Sequence, residues 1–153
     1  MGLRLTSAMR LTGRLTVIEL HAVTLQEVRR HEQPNKTLLL GKRLSLELLF
    51  GQHQHFVQYL ALGDNATPAA LNDAGLYNEL LRGPLTSVAL DDDTVNGLCT
   101  VRFIAGSTMG NGVTYREAGL FNDNNICYAR AVFPDVAKND SKILIVQWDL
   151  TAA

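Results

Sequence analysis

The chain has 153 residues, of which 46% are hydrophobic and 19% charged, so it has the composition of one folded domain and not of a disordered segment. Fourteen Lys and Arg against fifteen Asp and Glu leave a formal charge of -1, which argues against a protein whose main task is neutralising nucleic-acid phosphates. Two cysteines, Cys99 and Cys127, with no Cys-x-x-Cys, exclude a disulfide framework and the common zinc and redox patterns.

The charge is unevenly spread. Through Phe50 eight basic residues face four acidic ones; from Gly51 onward six face eleven. Solvated faces account for this simply, and complementarity between a basic N-terminal half of one copy and an acidic body of the next is the sharper reading. No defensible sorting signal opens the chain, and no apolar stretch approaches the length of a membrane span. These features read as a soluble protein made in a cytoplasm.

Residues 1–13 read as an extended N-terminal arm. Leu3, Leu5, Met9 and Leu11 give it one apolar side, with Arg4 and Arg10 between them. Such an arm cannot bury that side alone, so these six residues are the expected interface. Residues 14–153 read as a single domain. Arg14 to His21 alternates as a strand, and Glu27 to Gln33 is a more polar strand that pairs with it, stopped by Pro34 and Asn35. Thr37 to Phe50 has leucines at helical spacing. Asn35 or Thr37 is available as a cap, Gly51 follows the end, and the apolar arc is wide enough to predict a helix clamped on two sides.

Phe56 to Leu62 is an apolar run that predicts a buried strand, followed by a loop over Gly63 to Leu71. Asn72 to Leu81 predicts a short helical turn capped by Asn72 or Asp73. Pro84 to Asp91 and Thr94 to Ala105 predict strands joined through Asp91-Asp92-Asp93, and Gly106 to Gly112 a loop. Val113 to Asn122 and Ile126 to Phe133 form a hairpin about Asp123-Asn124-Asn125, ended by Pro134. Lys142 to Thr151 is apolar on both faces, as a central strand is. Seven or eight short strands and one helix in the N-terminal half predict a mainly β protein, an antiparallel β-sandwich of Ig-like or jelly-roll-like kind. The connections late in the chain are too short for the crossover helices of a parallel sheet.

Motifs for chemistry are weak. His53-Gln54-His55 would point both rings to one side of a strand, with Asp64 or Glu79 as possible co-ligands, but a polar connecting loop explains it more simply. Asp91-Asp92-Asp93 fails the calcium-loop pattern, and the glycines of 106–112 lack the Lys-Ser or Lys-Thr of a phosphate loop. There is no Gly-x-Ser-x-Gly, and both thiols lie in apolar strands. No enzyme, cofactor or metal is expected. Across the hairpin, Glu117 and Arg130 stand about equally far from the turn, so a cross-strand ion pair is geometrically possible.

The blocks Thr114-Tyr115-Arg116-Glu117-Ala118-Gly119-Leu120-Phe121, Tyr128-Ala129-Arg130-Ala131-Val132-Phe133-Pro134 and Leu144-Ile145-Val146-Gln147-Trp148-Asp149-Leu150 resemble a pattern in small virion structural proteins of tailed bacteriophages, often labelled tail or fibre proteins. Gly41-Lys42-Arg43, Tyr59-Leu60-Ala61-Leu62-Gly63 and Thr67-Pro68-Ala69 are similar to parts of the same family. The resemblance spans roughly Leu38 to Leu150; the arm and Asp135 to Asp140 depart from it. It implies a virion component acting by repeated protein–protein contacts in a tail, baseplate, collar or fibre attachment. Partners would be further copies and other virion proteins, with no specific nucleic acid and no membrane. A capsid decoration protein is the alternative, and a carbohydrate-binding module using Gly106 to Gly112 a third reading.

Overall fold

Alternation along the strands sets the architecture. In the first strand Leu15 and Val17 point one way, and in the last Leu144, Val146 and Trp148 do the same. The computed structural model describes residues 10–91 and 97–152. Ten strands and one helix follow in the order β1 (Leu11–His21), β2 (Glu27–Pro34), β3 (Lys36–Thr37), α1 (Leu39–Leu49), β4 (Val57–Gly63), β5 (Glu79–Pro84), β6 (Ser87–Asp91), β7 (Leu98–Ala105), β8 (Val113–Asn122), β9 (Cys127–Lys138) and β10 (Lys142–Ala152). Two five-stranded antiparallel sheets result, ordered β2-β1-β10-β7-β6 and β3-β9-β8-β4-β5. The fold is a β-sandwich with one helix, and β10 is the middle strand of its sheet, with Ile143 and Ile145 but also Gln147 and Asp149 on its outer face.

The inner faces make the core. Leu15, Val17, Val101, Phe103, Leu144, Val146 and Trp148 come from the first sheet, and Leu60, Leu62, Ala118, Leu120, Ala129, Ala131 and Phe133 from the second. Each large apolar side chain taken fully out of water contributes about 1.5–3 kcal/mol. A second, smaller cluster lies on the outer face of the β4/β8/β9 sheet, where Ala61, Phe121 and Cys127 are covered by Leu38 and Leu76.

Several elements differ from expectation. The first strand starts at Leu11, inside the segment read as an arm, because Leu11 finds a ladder partner in Ala152. The helix starts later than Thr37, and neither Asn35 nor Thr37 caps it. Lys36 and Thr37 are drawn into pairing with Arg130 and Ala129, leaving Leu38 as an N-cap without a side-chain bond. At the other end Gly51, at φ 68°, takes the left-handed position expected of it. Leu44 is buried, but Leu46, Leu49 and Phe50 are exposed, so α1 is covered on one side only.

Residues 72–81 contain no helix. From Glu79 the chain pairs with β4, and ladder bonds override the local turn tendency. The strand expected over Pro84 to Asp91 begins only at Ser87, since Pro84 ends β5. Pro134 does not end β9. It lies in a bulge where the register moves from Tyr115↔Val136 to Glu117↔Val132, a place where a missing N–H costs no ladder bond. Arg116 grips Asp135 across that bulge through Nε at 2.7 Å and Nη2 at 3.0 Å.

Candidate functional site

The largest buried charge, Arg130, sits on the outer face of the second sheet. The ladder sets Arg130 opposite Gly119 and Glu117 opposite Val132, so the two charged residues are diagonal neighbours on one face. Both are 0% exposed. Arg130 Nε donates to Glu117 Oε2 at 2.9 Å, and Nη2 lies 2.8 Å from the same oxygen. The structure therefore brings Glu117 and Arg130 together as a buried ion pair.

The pair is the hub of a clamp on residues 64–78, which connect β4 to β5. Glu117 accepts from the backbone N–H groups of Tyr77 at 3.1 Å and Asn78 at 2.9 Å. Arg130 Nη1 donates to the Thr67 carbonyl at 2.8 Å and to Asp73 Oδ2 at 3.3 Å. The Tyr77 ring covers the guanidinium, 4.3 Å from its centroid, and the Tyr77 hydroxyl donates to Asp73 Oδ1 at 2.8 Å. Asp73 is itself fixed by the Ala70 N–H at 2.9 Å. Burial alone would raise the Asp73 carboxyl. The bonds from Ala70 and Tyr77 and the Arg130 charge outweigh it and hold the group below its ordinary value.

Close approach is built in. A Cβ on Gly63 would stand 2.2 Å from the Asn78 carbonyl and 2.5 Å from Glu117 Oε1. The loop also reaches the helix, where Leu39 N–H donates to the Leu71 carbonyl at 2.9 Å. Of the clamp, sequence pattern pointed to Glu117 and Arg130. Thr67 contributes a main-chain carbonyl, which no side-chain pattern marks. Asp73 and Tyr77 stand at i and i+4 in the segment expected to be a helical turn, and there their side chains bond each other without a helix.

A second region is apolar and open. At the end of the sandwich where β1 begins, a cavity of about 360 Å³ is lined by Leu11, Leu90, Leu98, Cys99, Tyr128 and Leu150 among others. It lies beside β6, the outermost strand of its sheet, where Val88 is 60% and Leu90 74% exposed. The opposite edge, β2, carries Glu27, Arg29, Arg30 and Glu32, a proline at its end, and a bulge where it meets Glu19 and Leu20. Those are devices that discourage strand addition; β6 has no bulge, proline or basic residue.

The other candidates fall as follows. Leu3, Arg4, Leu5 and Met9 lie outside the described residues, as does 92–96; Arg10 is exposed and Leu11 opens β1. His55 Nδ1 lies 2.6 Å from Asp123 Oδ1, and the His53 and His55 rings meet edge to face at 5.3 Å, away from the expected Asp64 and Glu79. Asp64 instead accepts from Asn78 Nδ2 at 2.7 Å, and Glu79 pairs with Arg82. Among the described residues no group of three or more His, Cys, Asp or Glu is placed to hold a metal ion, and no helix is long and apolar enough to cross a membrane. Cys127 is buried, and desolvation pushes its thiol up to about 12; Cys99 is raised by the same cause.

Glu19 forms a further buried polar point. It is 1% exposed and takes Lys142 Nζ at 2.8 Å, with Arg29 at 3.7 Å and His31 at 3.8 Å. No family model, no curated protein and no solved structure matches the chain.

Proposed function

We propose that this chain is a structural component of a tailed-bacteriophage particle, in the tail as part of a baseplate, collar or fibre attachment, working through repeated contacts with further copies and other virion proteins. One observation carries the reading: among the described residues the first sheet ends in β6, with Leu90 74% exposed, beside an apolar cavity at the root of the N-terminal segment. Exposed apolar side chains on the last strand of a sheet fit a protein partner better than a small reactant. The side-chain clusters agree with this. The charges of the Arg130 clamp are bonded to one another and to the loop that covers them. The resemblance of the Glu117 to Phe121 and Ala129 to Pro134 segments to tail and fibre proteins supplies the phage setting.

In this reading residues Leu3, Arg4, Leu5, Met9, Arg10 and Leu11 belong to the contact surface, and the Arg130 clamp keeps the module rigid. The test is sedimentation and cross-linking of the full chain, of L90K and of a chain lacking residues 1–9. Assembly that L90K or the truncation abolishes, with each variant still folded, is expected. Folded wild-type chain that stays monomeric with every virion protein offered to it overturns the proposal. Electron microscopy of particles then distinguishes tail from head.

A further inference from the structure

Lys138 closes β9 and is only 2% exposed, yet its ammonium is met by neutral acceptors. Nζ lies 2.6 Å from the side-chain carbonyl oxygen of Asn111 and 2.9 Å from the backbone carbonyl of Asn139. Buried lysines are ordinarily paired with a carboxylate, so this arrangement calls for a reason. The amide is held from its other end as well, because Asn111 Nδ2 donates to the Ser107 carbonyl at 2.8 Å. Gly110 and Gly112 flank it in left-handed conformations, at φ 66° and 81°. Gly110 offers its carbonyl to the Tyr115 hydroxyl at 2.9 Å, and Gly112 donates its N–H to the Lys138 carbonyl at 2.9 Å. The exposed Asn111 amide is thus held against the buried Lys138 amine by bonds at both of its ends.

We propose that Lys138 Nζ and Asn111 Cγ join in an intramolecular amide cross-link. The carbonyl carbon lies one C=O bond, about 1.23 Å, beyond the oxygen that Nζ already touches, so a small turn of the amide brings the two atoms to the roughly 3–3.5 Å of a reactive approach. The amine lone pair attacks Cγ, forming the Cγ–Nζ bond and a tetrahedral oxyanion. The oxyanion collapses, the Cγ–Nδ2 bond breaks, and Nδ2 leaves as ammonia, carrying the proton that Nζ gives up. Nothing is oxidised or reduced, and no further reactant is consumed. Desolvation lowers the Lys138 ammonium from its ordinary value despite the opposing pull of Asp140, which favours the neutral, nucleophilic amine. The product ties the loop before β8 to the end of β9, a covalent closure of the kind that restricts an unfolded chain.

The experiment is the intact mass of the denatured full chain, followed by fragmentation of its tryptic peptides. The expected result is a mass lower than that of the sequence by one ammonia, and a branched peptide joining residue 111 to residue 138. K138R and N111A each restore the full mass. A wild-type chain of full mass overturns the proposal. So does an ammonia loss that persists in K138R, which would mark a cyclic imide between Asn111 and Gly112.

Discussion

The two unusual regions of this sandwich handle exposure in opposite ways. Over the outer face of the second sheet, a guanidinium and a carboxylate are buried at 0% exposure and bonded to each other and to backbone groups of residues 64–78. At the β6 end, among the described residues, apolar side chains lie exposed beside an apolar cavity. The first region stores its interactions inside one molecule; the second keeps them unused.

The comparison breaks most sharply at Arg130. Arg130→Ala leaves Glu117 buried without its cation, so denaturant unfolding should show a loss of about 3–5 kcal/mol. A Glu117→Gln variant should fall in the same direction, and the double variant should lose clearly less than the sum. Next comes Gly63→Ala, whose methyl group collides with the Asn78 carbonyl and Glu117. It should cost about 1–3 kcal/mol and free residues 64–78 to proteolysis, readable by limited digestion.

Smaller is the acid response of Asp73. Its folded-state carboxyl lies below the ordinary value, so its contribution to stability is complete above that value. The contribution fades as pH falls through the lower folded value. Wild type and Asp73→Asn should therefore keep a constant difference in stability near neutral pH and converge below about pH 4, by about 1 kcal/mol or less after solvent screening. Smallest in stability is Leu90→Lys at the open end. Its side chain already faces water, so unfolding should change by no more than about 0.5 kcal/mol while assembly is lost. A large loss of stability there would make Leu90 part of the core and remove the contrast between the regions.

What could be read in the sequence was whatever local period or local chemistry decides. The alternation of Leu15 and Val17, the two-sided apolarity of β10 over Ile143 to Val146 and the turn at Asn125, at φ 61°, all belong to that class. The Glu117–Arg130 pair was within reach because a hairpin makes register countable. Long-range pairing was not. Lys36 and Thr37 look like the approach to a helix until Arg130 and Ala129 take their ladder bonds. Glu79 to Leu81 looks helical until β4 recruits it. The Tyr77 and Asn78 N–H groups and the Thr67 carbonyl arrive from some forty to sixty residues away, as peptide groups that every residue shares.

The unequal depth of the two thiols has a practical outcome. Cys127, held at about 12, is out of reach of ordinary maleimide chemistry, whereas Cys99 borders the open cavity. Burial raises the Cys99 thiol as well, so a fluorophore would attach there slowly, yet selectively over Cys127, without a residue being changed.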